Sequence, residues 1–329
     1  MSAAPHTDLE RTLADAARVA QRAPSVFNTQ PWRWRVGPHT LELRRDPQLQ
    51  LTPADPAGHQ MLLSCGAALH HARLALAAAG RLADVSRFPD PAEPDLLARL
   101  DVRGRADPTP QVRRLRGAIP ARHTDRRPYG PNPVSAAALA RLGAAASAER
   151  TGLHTIPDDD VPTLARAAVT AATTEQADPA YRAMAARWTG APPGSEDGVP
   201  AGTAVRPGPH RVPVRDYLPS VDTAGLTAGA GDDRGTTYAI LHGPGDAPGD
   251  RLRAGEALSA VLLTAVVEGL ATAPMSDILE VTDARRIVRD LLPDADVPYL
   301  VLRIGMAVEP DAPPPTPRRR PGTVFGFGG

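Results

Sequence analysis

The residues whose types and spacing could do chemistry begin in a short polar turn near the N-terminus. Pro24 and Pro31 bracket this turn, and Ser25, Asn28 and Gln30 lie between them. These are short polar side chains, and the backbone amides beside them are not needed for helical hydrogen bonds. Both could form hydrogen bonds with the carbonyl groups and ring nitrogens of a planar ligand. An ordinary capped loop has the same composition, and the spacing alone favours that plainer interpretation.

A cluster of basic residues in the middle of the chain is suited to phosphate. Arginine presents a planar fork of donors that matches phosphate oxygens, and alternate positions of an extended turn place their side chains on one side. The alternative is a solvated basic loop in which the aspartate neutralises its neighbours, and the cluster by itself favours that alternative. The cluster runs from Arg122 to Tyr129 and contains His123, Thr124, Asp125, Arg126 and Arg127.

Two later segments could complete such a site. The tail from Pro310 is rich in proline and arginine, contains Arg318 and Arg319, and is expected to be extended. A disordered basic end is the alternative interpretation of this tail. Residues 271–276 are predicted to form a loop, whose last three residues are Pro274, Met275 and Ser276.

The polar turn joins a predicted helix to a predicted strand. Before the turn, apolar residues recur at helical spacing from Leu13 to Ala20. After it, Trp32, Trp34 and Val36 alternate with arginines in the period-two pattern of a half-buried strand. The next turn leads into a second strand, so the sequence predicts a β-hairpin whose tryptophans face a core.

The order helix, strand, helix, strand is predicted in both halves of the chain, which suggests an internal duplication. One predicted helix runs from Gly66 to a terminal Gly80, and another runs from Gly255 to Gly269. Both helices start with Gly-x-Ala-Leu. The two starting glycines are 189 positions apart (255 − 66), and so are the two terminal glycines (269 − 80). We therefore predict two fused halves, at residues 1–110 and 111–329.

Residues 189–234 are rich in glycine, proline, serine and aspartate. A segment of this length is too long for an ordinary connector, and such excursions are usually covers of functional sites or disordered linkers. Apolar anchors favour a cover, because a pure linker would lack them. We predict a lid insertion at about residues 189–234, anchored by Val212, Val214, Tyr217 and Leu218.

Length and composition are compatible with one large domain or two fused ones, because 42% of the 329 residues are hydrophobic. The 37 basic and 37 acidic residues cancel, so the net charge favours neither nucleic acid nor a membrane surface as a partner. A single cysteine excludes an intrachain disulfide and a multi-cysteine metal site. No charged-then-apolar run typical of a leader peptide is found, so a cytoplasmic setting is expected. Cys65 is expected in the core, whereas His70 and His71 are expected on the surface or flank of the same helix.

The polar turn closely resembles the segment that nitroreductase-type flavoproteins place against the ring and ribityl chain of FMN; here residues 23–32 read Ala-Pro-Ser-x-x-Asn-Thr-Gln-Pro-Trp. More narrowly, it resembles the Acg family of actinobacterial proteins, in which two nitroreductase-like halves are fused. Phe27 stands where many members have histidine. The resemblance implies an α+β fold: a nitroreductase-like three-layer sandwich, internally duplicated into a pseudo-dimer and carrying a lid insertion.

The resemblance also implies that FMN is the cofactor and assigns roles to the polar residues. The central cluster matches the Arg-x-Ser/Thr-x-Arg/Lys pattern that grips the FMN phosphate, with help from basic residues near the C-terminus. Ser276 stands where many reductases have an acid, and Asp277 follows it. The implied cofactor-binding residues are Ser25, Asn28, Gln30, Arg122, His123, Thr124, Arg126, Pro274, Met275, Ser276, Arg318 and Arg319.

One copy of each component, in opposite halves, implies one FMN per chain in a monomeric pseudo-dimer. The resemblance further implies an oxidoreductase that takes electrons from NAD(P)H and passes them to a small acceptor. The alternative is a protein that stores or sequesters FMN under a closed lid, which the lid and the missing acid favour. A cofactor-free structural remnant would require the arginine clusters to be a coincidence.

Overall fold

The first half of the chain forms a sheet packed on two helices. The computed structural model describes residues 7–192, 194–217 and 225–327. We use "first half" for residues 8–105, in which Thr7 and Glu10 form a capping box that starts the first helix. Its elements are α1 (Asp8–Ala20), β1 (Trp32–Val36), β2 (Thr40–Arg45), α2 (His59–Ala78), β3 (Arg81–Arg87) and β4 (Leu96–Arg105).

The second half, residues 110–305, repeats this arrangement with additional helices. Ser135 caps one of its helices by accepting a hydrogen bond from the backbone of Ala138. The elements up to residue 200 are α3 (Pro110–Ala118), α4 (Ala136–Ala148), β5 (Gly152–Thr155), α5 (Val161–Ala177), α6 (Pro179–Trp188), β6 (Thr189–Ala191) and β7 (Val199–Pro200). The remaining elements are β8 (Thr237–Gly243), α7 (Pro248–Val267), β9 (Ala271–Met275), α8 (Asp277–Glu280), α9 (Thr282–Arg289) and β10 (Val297–Gly305).

The two sheets have matching topologies. The first-half strands lie in the order β1-β2-β4-β3 and the second-half strands in the order β5-β8-β10-β9. If β5, β8, β9 and β10 are matched to β1 to β4 in chain order, both sheets have the same strand order. The central helix follows the second strand in both halves, at α2 and α7. This correspondence is the expected product of a duplication, and the α+β class predicted from the sequence is confirmed.

The two central helices cross at a pair of glycines. A Cβ atom on Gly66 would lie 2.0 Å from the carbonyl oxygen of Leu252, and a Cβ on Gly255 would lie 2.0 Å from that of Leu63. Leu252 and Leu63 are themselves 189 positions apart, as are the two glycines, so the crossing is a local two-fold. Side chains at this crossing belong to the cores of both halves, since Leu252 packs with the first core and Leu63 with the second.

The C-terminal tail crosses from the second half to the first. After the extended residues that follow β10, the chain forms α10 (Pro321–Val324) and β11 (Phe325–Phe327). β11 pairs in parallel with β1, with Trp34 opposite Phe325, and becomes the fifth strand of the first sheet. The tail is therefore extended over part of its length, as predicted, but it is tied down by a strand that the sequence did not reveal.

Several local predictions differ from the structure. Residues 271–275 form the edge strand β9 and not a loop, because their backbone pairs with β10. His70 and His71 are buried and not on a surface, since α2 is covered on nearly all sides. The lid anchor Leu218 lies outside the described residues.

α2 illustrates why a helix can be apolar all round. Among the described residues it is the one helix whose length and hydropathy would suit a membrane span, and 83% of that window is buried inside the protein. It packs against α1, β2, β3 and α7. Cys65 lies in this core and is fully buried, as predicted.

Candidate functional site

The polar turn after α1 has an unusual backbone. Phe27, Asn28 and Gln30 all have positive φ angles, of 50°, 56° and 51°. Residues other than glycine rarely adopt this conformation, and it persists only where surrounding contacts enforce it. Ser25 supplies one such contact, because its hydroxyl accepts a hydrogen bond of 2.9 Å from the Gln30 backbone. The turn thus presents Ser25 and Asn28 toward the second half in a fixed arrangement.

A cavity of about 360 Å³ separates this turn from the arginine cluster of the second half. We refer to it as the large chamber. Its volume lies within the range of small-molecule sites. None of the described residues that line it is acidic, so its charged lining is basic. The residues that line it from the two halves and the tail include Arg22, Ser25, Asn28, Arg122, His123, Thr124, Arg126, Thr203, Thr316 and Arg318.

Arg122 is the most unusual side chain of the large chamber. It is 9% exposed, and its Nε and Nη1 atoms have no hydrogen-bond partner among the described residues. Burial, together with the charges of Arg318 and Arg126, lowers the pKa of Arg122 to about 9. A buried guanidinium without a partner carries a large desolvation cost. The site is therefore built so that an anion would relieve this cost.

The tail closes one side of the large chamber. Arg318 donates to the side-chain oxygen of Asn28 (3.2 Å) and to the hydroxyl of Thr316 (2.6 Å), and its Nε has no partner among the described residues. Burial lowers the pKa of Arg318 to about 10, and Arg22 adds to this effect. Asn28 also donates to the Pro317 carbonyl oxygen (3.1 Å). These contacts connect the turn to the tail and orient a second guanidinium toward the same space.

A smaller cavity of about 60 Å³ adjoins the large one. We refer to it as the small chamber. Pro24, Ser25, Thr124 and Arg126 line both chambers, so the two share a wall that carries polar groups. The other residues that line the small chamber are Val26, Phe27, Gln60, Leu63, Ser64, Tyr217, Leu258, Pro274, Ser276 and Leu300.

Residues 211–217 end at Tyr217, which lines the small chamber and covers it, and we call them the covering segment. The ring of Tyr217 lies 4.1 Å from the guanidinium carbon of Arg126 and meets the Phe27 ring edge-on, with centroids 5.5 Å apart. Cation–π and edge-to-face contacts of this kind each contribute about 0.5–1.5 kcal/mol. Farther back, Val212 is fully buried and its backbone donates to the Tyr238 hydroxyl (3.2 Å). The covering segment is therefore docked against the second half.

The structure brings together most of the residues singled out in the sequence. The turn, the arginine cluster, the β9 end and the tail meet around the two chambers although they are far apart along the chain. The predicted residues that line a chamber are Ser25, Asn28, Arg122, His123, Thr124, Arg126, Pro274, Ser276 and Arg318.

Three predicted residues do not line either chamber. Gln30 is fully buried and accepts a hydrogen bond from the Arg319 backbone (2.9 Å), so it joins the turn to the tail. The Arg319 guanidinium pairs with Asp197 at 2.6 Å. Met275 packs in the second-half core. These three residues hold the walls of the site and do not face its interior.

Two residues of the site were missed in the sequence. Gln60 and Ser64 lie one turn apart on α2 and line the small chamber. Gln60 is buried, and its side-chain oxygen has no hydrogen-bond partner among the described residues. The available signal was a pair of polar residues four positions apart on an otherwise apolar helix, since a buried polar group normally has a partner.

Comparison with known proteins gives a consistent picture. No family model matches the chain. A protein of Mycobacterium tuberculosis named "Putative NAD(P)H nitroreductase acg" is 37% identical over 311 residues, which cover 94% of this chain and 93% of that protein. A second protein of the same organism, named in the same class, is also 37% identical and covers 94% of this chain and 89% of its own length. The chain belongs to the Acg family of nitroreductase-like proteins.

Solved structures of two nitroreductases are also similar to parts of this Acg-family chain. A Bacteroides fragilis nitroreductase with bound FMN is 14% identical, with a TM-score of 0.38, and covers 60% of this chain and 90% of its own. An FMN-dependent nitroreductase from Mycobacterium smegmatis in complex with NADPH is 16% identical, with a TM-score of 0.36, and covers 60% of this chain and 89% of its own. Family membership rests on the Mycobacterium tuberculosis relatives, which extend over both halves.

Proposed function

We propose that this Acg-family chain binds one FMN between its two halves and acts as a nitroreductase-like oxidoreductase in the cytoplasm. The observation that carries this proposal is the large chamber with the buried, unpartnered guanidinium of Arg122. We further propose that the halves meet near residue 110 and that the chain works as a monomeric pseudo-dimer. The names of the relatives, and the FMN and NADPH in the names of the solved nitroreductases, agree with this assignment.

The large chamber suits the FMN phosphate. Arg122 and Arg318 would donate to phosphate oxygens through nitrogens that have no partner within the described residues. Thr124 and Arg126, on the wall shared by both chambers, would hold the end nearer the ring. Charge-assisted hydrogen bonds of this kind are about twice as strong as neutral ones, and a dianion would offset the mutual repulsion of the guanidiniums.

The flavin ring would lie along the wall shared by the two chambers, because the small chamber, at about 60 Å³, has room only for an edge of the ring. Apolar and polar groups are combined on this wall. The buried oxygen of Gln60 could accept a hydrogen bond from a ring N–H, and Ser25 and Ser276 provide further polar contacts. Bound FMN would supply reversible two-electron chemistry through its ring. The chain's own contribution is to orient the ring, fix its polar edge and exclude water.

The proposed stoichiometry of one FMN is supported by the divergence of the second half. The turn between helix and strand spans residues 21–31 in the first half, but the matching turn spans only 149–151. Glu149 of this short turn pairs with Arg73 at 2.7 Å. Arg73 and Arg87 both pair with the fully buried Glu256, each at 2.7 Å. Arg87 is the counterpart of Ser276, 189 positions earlier. Ion-paired side chains therefore border the region where a second ring would lie, and the cavity of about 370 Å³ that Arg73 and Glu149 line there meets a short turn in place of the polar turn.

The size of the small chamber favours a second candidate function, which is FMN storage. A volume of about 60 Å³ is smaller than one flavin ring, so the closed site has no room for a second ring system stacked on the first. With Tyr217 in place, NAD(P)H or a nitro compound therefore could not stack on the ring. A reductase would require the covering segment to move, whereas a storage protein would keep it closed. Lids that open during turnover are common in enzymes.

Two measurements test these functions. The absorbance spectrum of the purified protein, after loading with excess FMN, should give about one flavin per chain; two or none would contradict the site. Steady-state NAD(P)H oxidation with a nitroaromatic acceptor should be slow for the intact protein and faster for Tyr217→Ala. Fast turnover by the intact protein excludes storage. If folded, FMN-loaded Tyr217→Ala has no turnover, the reductase function is excluded.

A further inference from the structure

Tyr129, the last residue of the arginine cluster, is fully buried beneath it. Its hydroxyl donates to the carbonyl oxygen of Asp125 (2.8 Å). Burial raises the pKa of this hydroxyl, so it stays protonated and remains a donor. The neighbours of Asp125 in the chain, Thr124 and Arg126, both line the two chambers. The hydrogen bond therefore fixes the stretch of backbone from which two of the proposed FMN-binding side chains extend.

A buried ion pair holds Tyr129 itself in place. Asp233 and Arg303 are both fully buried, and they pair at 3.1 Å. The Asp233 carboxylate accepts a hydrogen bond from the backbone N–H of Tyr129 (3.0 Å), and the Asp233 N–H donates to the Tyr129 carbonyl oxygen (2.8 Å). The guanidinium carbon of Arg303 lies 3.9 Å from the centre of the Tyr129 ring, and its Nη2 donates to the carbonyl oxygen of Arg127. The ion pair thus fixes both the backbone and the ring of Tyr129.

Strand β10 leaves room for this ring. A Cβ atom on Gly305 would lie 2.4 Å from the Cδ2 atom of Tyr129, so the ring occupies the space that a side chain would take there. The next residue of the chain, Gly130, donates from its backbone to the carbonyl oxygen of Met306 (2.9 Å). Close packing of this kind leaves the ring little freedom to move.

The arginine cluster needs such support because its charges repel each other. Arg318 and Arg126 both help to lower the pKa of buried Arg122. The one carboxylate of the cluster, that of Asp125, pairs with Arg127 at 2.7 Å and lines neither chamber. Like charges at short range would push the cluster apart as long as no anion is bound. Contacts behind the cluster must therefore maintain its shape.

We propose that Tyr129, fixed by Asp233 and Arg303, is a positioning residue that keeps the arginine cluster in its phosphate-binding shape before the ligand arrives. The proposal rests on the proposed FMN site, because the FMN phosphate is the anion that the cluster would bind. A preorganised site binds more tightly, since the ligand does not have to order it. Only a ligand that carries a phosphate gains from this arrangement.

Tyr129→Phe tests the role, because it removes one hydroxyl and keeps the ring. We expect the Kd of FMN to rise about 2–12-fold, the factor that corresponds to one neutral hydrogen bond, while the Kd of riboflavin stays unchanged. Titration of flavin fluorescence measures both values. In the flavin-free full chain, hydrogen exchange of the amides at 123–130, followed by mass spectrometry, should become faster by a similar factor. Gly305→Ala keeps the hydroxyl but displaces the ring, so both effects should have the same direction in this variant.

Tyr238→Phe is the matched control. Tyr238 is also buried, and its hydroxyl donates to the same Asp233 carboxylate (3.1 Å). This hydroxyl accepts a hydrogen bond from the backbone of Val212 in the covering segment, whereas that of Tyr129 bonds to the cluster. Tyr238→Phe should therefore leave the ratio of the two Kd values, and exchange at 123–130, as in the wild type.

The positioning role is overturned if Tyr129→Phe keeps the wild-type ratio of the two Kd values, either because neither ligand is affected or because both are weakened equally. Unchanged exchange at 123–130 also overturns it. Absence of FMN binding by the wild type would instead contradict the proposed function, and this result is distinct because it appears before any substitution. The exchange rates would then decide alone whether Tyr129 holds the cluster.

Discussion

Replacement of Arg122 by alanine should weaken FMN binding without lowering the stability of the flavin-free protein. In the flavin-free chain Arg122 is buried beside two other guanidiniums, and its Nε and Nη1 lack partners among the described residues. Removal of this cation should leave the melting temperature unchanged or raise it, since an uncompensated buried charge is lost. Most structural arginines would show the opposite effect.

The expected loss of FMN affinity follows from the contact that Arg122 would make. A hydrogen bond to a charged group contributes about 1.5–3 kcal/mol, which corresponds to a factor of about 10–150 in Kd. Riboflavin has no phosphate, so its Kd should change little. Titration of flavin fluorescence with both ligands, for the wild type and the variant, measures this difference directly.

Arg319→Ala is the matched control, because sequence similarity assigns Arg319 to the phosphate whereas its guanidinium pairs with Asp197 outside the chambers. Arg319→Ala should weaken FMN and riboflavin by the same small factor. An equal loss of both ligands in Arg122→Ala would refute the phosphate assignment of Arg122. A marked fall in melting temperature of flavin-free Arg122→Ala would refute the argument from the unpartnered guanidinium.

Three further predictions concern stability. Glu256→Gln should lower the free energy of unfolding by about 1.5–3 kcal/mol, measured by urea denaturation, because half-buried Arg87 loses its counter-charge and Arg73 keeps only Glu149. Gly255→Ala should lower the free energy of unfolding by about 1–3 kcal/mol or more, because the new Cβ would lie 2.0 Å from a backbone oxygen. Gly143→Ala is the control: its Cβ would have no neighbour within 4 Å, so this change should be neutral or stabilising. Burial and then Arg73 lower the pKa of His70 to about 3. The stability that the neutral His70 contributes should therefore be complete above about pH 6.5 and be lost as the pH falls toward 3. His70→Gln should flatten this part of the curve of melting temperature against pH.

The elements with strong local signals could be predicted from the sequence. The alternation of Trp32, Trp34 and Val36 gives a strand with alternating buried and exposed residues, and β2 follows it as the second strand of a hairpin. Gly80 and Gly269 both have positive φ angles, 69° and 72°, just beyond the ends of the two central helices. Periodicity and chain reversal are local properties, so neighbouring residues suffice to reveal them.

Features that depend on distant contacts could not be predicted in this way. His70 looks like a surface residue in sequence, but it is buried because α7 crosses α2 at the glycine pair and places Ser259 at 2.8 Å from its ring. The residues after Gly269 form a strand only because β10 pairs with them. The Arg319 guanidinium is held outside the chambers by Asp197, which is 122 positions away. Such partners depend on the tertiary fold, which local patterns do not specify.

The matching sheets and the unmatched turns suggest how a duplicated fold acquires a single site. The two-fold packing of α2 on α7 constrains both halves equally, because Gly66 lies close to the backbone of α7 and Gly255 lies close to the backbone of α2. The turn before the first strand of each half is free of that constraint and differs in length. Glu149 and Arg87 then form ion pairs in the space opposite the chambers, with Glu256 as the fully buried partner of Arg87. Loss of the second site would thus require changes only at the edges of the repeat, while the helix crossing that supports the first site remains.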